Sequence, residues 1–177
     1  MSLAPRGERL VIALIGKRNA GKSSLINALV GQEIAIVSEV AGTTTDPVDK
    51  HYELLPLGPV TFFDTAGVDD TGDLGEQRVK STRKVLYRAD IVLFVNDNQA
   101  FCAQELEMLG RIKELEIPTL MIFNKAELRT PQPSNQAWCQ ASDIPFVSVS
   151  ALEKTGIIEA KEALVKLAPK YKLENRI

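Results

Sequence analysis

Apolar runs of strand length alternate with stretches of helical spacing along this chain. Leu10–Ile15, Ile91–Val95 and Thr119–Phe123 are unbroken apolar runs apart from one threonine. Such runs predict strands covered on both faces, near the middle of a sheet. Val48–Leu55 alternates only weakly through His51-Tyr52-Glu53-Leu54, which predicts an edge strand. Pro56-Leu57-Gly58-Pro59 is a tight turn, too short for a parallel crossover. The next strand, Val60–Phe63, is therefore predicted antiparallel to the one before it. Phe146–Val149 is predicted as the last strand.

Helical spacing recurs between these strands. Lys22–Val30 turns Leu25, Ala28 and Leu29 inward, and Gly31 stops it. Glu76–Arg88 and Glu105–Leu115 follow, then a short helix over Asn135–Ala141. The last helix, Gly156–Leu167, lines up Ile157, Ala160, Leu164 and Leu167, and Ala168-Pro169 ends it. Strands alternating with helices predict an α/β fold: six strands, mostly parallel with one antiparallel edge strand, and helices on both faces. Two polar stretches, Gln32–Pro47 and Val68–Gly75, fit neither pattern. Long loops inside a compact domain are usually functional.

Composition narrows the class. The chain has 177 residues, 45% apolar and 25% charged, with net charge −2. One soluble globular domain is the simplest reading, with no global basic field to attract nucleic acid. There is no apolar run of membrane-spanning length and no apolar core of a signal peptide. Cys102 and Cys139 show no paired metal spacing, so a reducing, cytoplasmic compartment is expected. Residues 1–8 read as an N-terminal extension, 9–168 as the domain, and 169–177 as a polar linker towards further domains.

The chemistry concentrates at the predicted strand ends. Gly16-Lys17-Arg18-Asn19-Ala20-Gly21-Lys22-Ser23 lies between the first strand and the first helix. This is the pattern of a phosphate-binding P-loop. Gly16 and Gly21 permit backbone angles that side-chained residues resist, and they let the main chain approach an anion. Backbone N–H groups along Asn19, Ala20 and Gly21, and the helix start at Lys22, Ser23 and Ser24, would then surround the phosphates. Lys22 supplies a full charge to the β- and γ-phosphates, and Ser23 a hydroxyl to magnesium.

Three more loops can converge on the same ligand, because ligands of open α/β sheets sit beyond the carboxyl ends of the strands. Asp64 suits a magnesium ion held through water. Gly67 can offer its N–H to a γ-phosphate. Asn124-Lys125 can hold a purine ring, and an acid two residues on, Glu127, can accept from N1–H and the exocyclic amine of guanine. Adenine lacks that arrangement, so the expected ligand is GTP. Ser150-Ala151-Leu152 can present backbone N–H groups to the guanine O6.

With these motifs in place, the chain resembles the translation-factor-related GTPases over Arg9–Leu167. More narrowly it is similar to the TrmE–Era-like potassium-dependent group. The resemblance implies a Ras-like P-loop GTPase fold, with Gln32–Pro47 and Ala66–Gly75 as the two nucleotide-sensing switches. It implies that Thr44 binds magnesium when GTP is present, and that Asn19 helps hold a potassium ion. Val68 stands where Ras-like proteins keep a water-orienting glutamine, so hydrolysis is expected to be slow and potassium-stimulated. An acid of the second switch would assist: Asp69 first, with Asp70, Asp73 and Glu76 as alternatives.

Within that group, several phrases are similar to the FeFe-hydrogenase maturation GTPases (HydF type). They are Pro5–Arg9, Gly42-Thr43-Thr44-Thr45-Asp46-Pro47-Val48, Pro56–Pro59 and Leu74-Gly75-Glu76. Thr45 matters because the other relatives usually carry arginine there. This resemblance implies a switch role in hydrogenase metallocluster maturation, with protein partners and homodimerisation through attached domains. The alternatives are tRNA modification, ribosome assembly, or a module in which nucleotide binding rather than hydrolysis regulates partners.

One departure bears on specificity. The usual acid of the Asn-Lys-x-Asp motif is aspartate, and Glu127 is longer by one methylene, about 1.5 Å. GTP is still expected to be preferred, with weaker affinity or discrimination. Other single residues read as structural: His51 on the surface of the edge strand, Trp138, Cys139 and Phe101 as packing, Cys102 in a loop. Lys80, Lys84 and Arg88 form a basic stripe that reads as a solvated face.

Overall fold

The computed structural model describes residues 9–31, 48–64 and 83–169, with the backbone alone for 48–50 and 64. Its strands are β1 (Leu10–Gly16), β2 (Val48–Leu54), β3 (Gly58–Asp64), β4 (Ile91–Asn96), β5 (Thr119–Phe123) and β6 (Phe146–Ser148). Its helices are α1 (Lys22–Val30), α2 (residues 83–88), α3 (Ala103–Glu114), α4 (Pro133–Ala141) and α5 (Ile157–Leu167). The six-stranded sheet runs in the order β2-β3-β1-β4-β5-β6. β2 pairs antiparallel with β3, and every other pairing is parallel. This is the predicted sheet, edge strand included.

The unbroken apolar runs have a plain cause. Leu10, Ile12 and Leu14 of β1 face a core shared with Leu25 and Leu29 of α1 and Leu164 of α5. Ala13 and Ile15 face the opposite core, with Val85 and Leu86 of α2, Met108 and Leu109 of α3 and Cys139 of α4. A strand between two helical layers has no polar side. β4 and β5 are likewise buried at every position.

Boundaries moved where capping chemistry decided them. α3 starts at Ala103, two residues before the predicted Glu105, because Cys102 and Glu105 form a capping box. α4 starts at Pro133, since proline is well placed in a first turn whose N–H groups lack helical partners. Cys102 is thus a half-buried cap residue rather than a loop residue.

His51 departs from its surface reading. It is half-buried, and its Nδ1 lies 2.6 Å from Arg9 Nη1 and 2.9 Å from Thr61 Oγ1. The guanidinium can only donate, so Nδ1 accepts from Arg9. Phe101 packs edge-on against Trp138, with ring centroids 5.8 Å apart, as the packing reading expected. Of the basic stripe, Lys84 and Arg88 are exposed, and Arg88 lies 4.7 Å over the Phe63 ring, a cation–π contact that anchors it to the fold.

Candidate nucleotide-binding site

β1 ends at Gly16, whose Cα pairs with Val95 of the adjacent strand. A Cβ there would lie 2.4 Å from the Val95 carbonyl oxygen. Gly16 does not take a positive φ, so its glycine is required by strand packing rather than by backbone angles. Gly21 does take one, φ 92°, as it turns the chain into α1. A Cβ there would lie 2.4 Å from Asn124 Nδ2. The two glycines thus have different causes, and only the second is conformational.

Lys22 opens α1 and is 7% exposed. Its ammonium donates to the Gly16 carbonyl at 2.8 Å and the Lys17 carbonyl at 3.1 Å. The charge is therefore held against the first residues of the loop. No side-chain hydrogen bond caps the N-terminus of α1, and a helix N-terminus favours an anion. Ser23 and Ser24 are exposed on the first turn, and Asn19 is exposed on the loop. These residues fit a magnesium-bound triphosphate: Lys22 and the loop N–H groups would hold phosphate, and the Ser23 hydroxyl would face the metal. Asn19 can offer its amide oxygen to a monovalent cation. Asp64 closes β3 in register with Leu14 of β1, which places its backbone on the same sheet edge. Thr44, Gly67, Asp69 and the alternative acids Asp70, Asp73 and Glu76 lie outside the described residues.

At the end of β5, Asn124 is 2% exposed and joins three loops. Its backbone N–H donates to the Asn96 carbonyl at 2.8 Å. Its Nδ2 donates to the Ala20 carbonyl at 2.9 Å, and its Oδ1 accepts from the Ala151 N–H at 3.0 Å. One side chain thus ties the phosphate loop to the loop after β6. Lys125 follows in the left-handed region, φ 67°, and is half-buried.

Glu127 and Ser150 meet. The Ser150 hydroxyl donates to Glu127 Oε1 at 2.6 Å and accepts from the Glu153 N–H at 3.0 Å. The N–H groups of this loop are mostly committed: Ser150 donates to the Thr155 carbonyl at 3.1 Å, and Ala151 to Asn124. Leu152 has a backbone N–H with no hydrogen bond among the described residues and is 78% exposed. The Ser150 N–H, offered by the sequence for a guanine oxygen, is paired within its own loop, and it is the hydroxyl that meets Glu127.

Sequence reasoning passed over the polar cluster behind the loop. Glu105 is fully buried and occupies the first position of the α3 stripe Glu105, Met108, Leu109 and Ile112. A carboxylate in an apolar stripe was the available signal. It accepts from the Cys102 N–H at 3.0 Å and from Asn96 Nδ2 at 3.2 Å, and Lys17 Nζ stands 3.6 Å away. Burial alone would lower the Lys17 pKa, but Glu105 above all, with Cys102 and Asp97, raises it above the usual lysine range.

Residues 11–125 match the family model of the 50S ribosome-binding GTPases. The chain is 35% identical over 154 residues to the tRNA modification GTPase MnmE of Staphylococcus aureus, a match spanning 86% of this chain and 33% of that one. It therefore covers about a third of the length of the curated relatives it matches. Among solved structures, Era of Aquifex aeolicus bound to GDP and aluminium fluoride superposes with TM-score 0.73 at 27% identity, over 90% of this chain and 56% of that one. The G domain of the T. maritima FeoB iron transporter gives TM-score 0.66 at 25% identity, over 90% of this chain and 98% of that one. The six-stranded sheet is thus the Ras-like P-loop GTPase fold. The matched segment holds the phosphate loop, β3 and the Asn124-Lys125 pair, so the chain belongs to the 50S ribosome-binding GTPase family, as a G domain of the TrmE–Era-like class.

Proposed function

We propose that this G domain prefers GTP to ATP and works as a slow switch that uses Mg²⁺ and K⁺. The observation that carries this reading is the double hydrogen bond of Asn124, to Ala20 and to Ala151, beside the Ser150–Glu127 pair. It ties the phosphate loop to the segment carrying Ser150, the partner of Glu127, which supports Glu127 as the guanine-reading acid. With Ser150 holding one oxygen, Glu127 Oε2 is left for the N1–H and amine donors of guanine. Lys22 would leave the Gly16 and Lys17 carbonyls for the phosphates, and Thr44, Asp64 and Ser23 would serve magnesium. Asn19 would hold potassium in place of an arginine finger, and Asp69 is the first choice of assisting acid.

Calorimetric titration with GTP, ATP and XTP, and turnover in potassium against sodium, test the reading. GTP is expected to bind more tightly than ATP, and potassium to raise the rate. Equal affinity for ATP refutes the role of Glu127, and a flat cation response refutes that of Asn19.

For the pathway, 35% identity to a tRNA modification GTPase favours tRNA modification over hydrogenase maturation. Thr45 and the phrases around it support the hydrogenase reading. Binding of the intact protein to tRNA, or stimulation of hydrogenase maturation, separates the two.

A further inference from the structure

Lys17 and Glu105 belong to a closed circuit around the phosphate loop. The Lys17 ammonium stands 3.6 Å from Glu105 on α3, and Glu105 accepts from Asn96 Nδ2 at 3.2 Å. The Asn96 carbonyl accepts from the Asn124 N–H at 2.8 Å, and Asn124 Nδ2 donates to the Ala20 carbonyl at 2.9 Å. The Ala20 N–H then donates back to the Lys17 carbonyl at 3.1 Å, closing the ring. The arc from Lys17 to Ala20 is therefore pinned at both ends, by Glu105 at one and Asn124 at the other.

A fully buried carboxylate is costly unless a charge and hydrogen bonds compensate it. Glu105 has two hydrogen bonds, and its ion-pair partner is Lys17. Capping α3 needs only an acceptor, which a neutral glutamine would also supply. What the charge adds is a hold on Lys17. That same residue's carbonyl receives Lys22 Nζ at 3.1 Å, so the residue held by Glu105 is also one that receives the lysine of the phosphate loop.

We propose that Glu105 and Lys17 are positioning residues for the phosphate cradle, keeping the first half of the loop in its binding shape before nucleotide arrives. The proposal rests on the reading of Gly16–Ser23 as the phosphate site. Its consequence is selective: affinity for the phosphates depends on the pair, and affinity for the base does not.

The test uses the purified chain with K17M, E105Q, the double variant and K17R. GDP and GTP affinities are measured by calorimetry, guanosine affinity by competition, and stability by urea unfolding. K17M and E105Q are each expected to weaken GDP and GTP binding about tenfold, the scale of one lost charge-assisted contact. The double variant is expected to be no weaker than the worse single, because both remove one interaction. K17R recovers most of the loss, since its guanidinium still pairs with a carboxylate, and guanosine affinity stays unchanged throughout. GDP affinity of K17M within about twofold of the parent overturns the proposal, as does a parallel fall in guanosine affinity. If E105Q fails to fold, K17M against K17R decides. Absence of GDP and GTP binding by the parent chain overturns the nucleotide reading itself, and the positioning role with it.

Discussion

Replacing Asn124 with alanine should disable the domain without touching any group that contacts phosphate in the reading above. The side chain makes two hydrogen bonds, to the Ala20 carbonyl and from the Ala151 N–H. Ala20 is 0% exposed and Ala151 7%, so water has little access to either stranded group. A buried polar group left unpaired costs about 1–3 kcal/mol. Two of them give a loss of about 2–6 kcal/mol, a large share of the ~5–15 kcal/mol that holds an average domain folded. The loss has a second expression. Ala20 lies in the phosphate loop and Ala151 next to Ser150, the partner of Glu127, so freeing them would loosen both halves of the proposed site at once. GTP affinity should fall at least about tenfold, or 1.4 kcal/mol. Urea unfolding of the nucleotide-free chain and calorimetry with GDP and GTP measure the two effects. A stability change under about 0.5 kcal/mol, the usual range of surface substitutions, would show that these hydrogen bonds are replaced by others and refute the reasoning.

Other outcomes follow from single contacts. Ser150→Ala removes the hydroxyl that orients Glu127, so the preference for GTP over ATP should narrow about tenfold in competition binding, and an unchanged ratio counts against it. Gly156→Ala puts a Cβ 2.2 Å from the Ser148 carbonyl at a φ of 74°, with backbone on both sides of the clash. A cost of about 1–3 kcal/mol, and a melting point lower by several degrees in calorimetry, is expected. Burial pushes the Cys139 thiol from 9.0 up to about 11. The unfolded thiol ionises first, so stability attributable to this residue is intact below about pH 9 and falls as pH rises towards 11. Unfolding midpoints against pH for the parent and Cys139→Ala isolate that slope.

The alternation of apolar runs and helical spacing was enough to determine an α/β sheet with one antiparallel edge. A strand covered on both faces must be apolar throughout, and Pro56–Pro59 leaves no room for a crossover. The phosphate loop was equally legible, because Gly16–Ser23 is contiguous and its chemistry is local. What the sequence could not show is which distant residues complete it. Glu105 and Lys17 are 88 positions apart and meet only because β4 lies beside β1 and carries α3 behind the loop. Ser150 and Glu127 meet because β6 lies beside β5. Even Gly16 changed its meaning: the motif suggested a permissive backbone, while the neighbouring Val95 carbonyl leaves no space for a side chain. Local chemistry is written in order along a chain. Packing between strands is decided by hydrogen-bond register and burial, which bring together residues that no spacing rule connects.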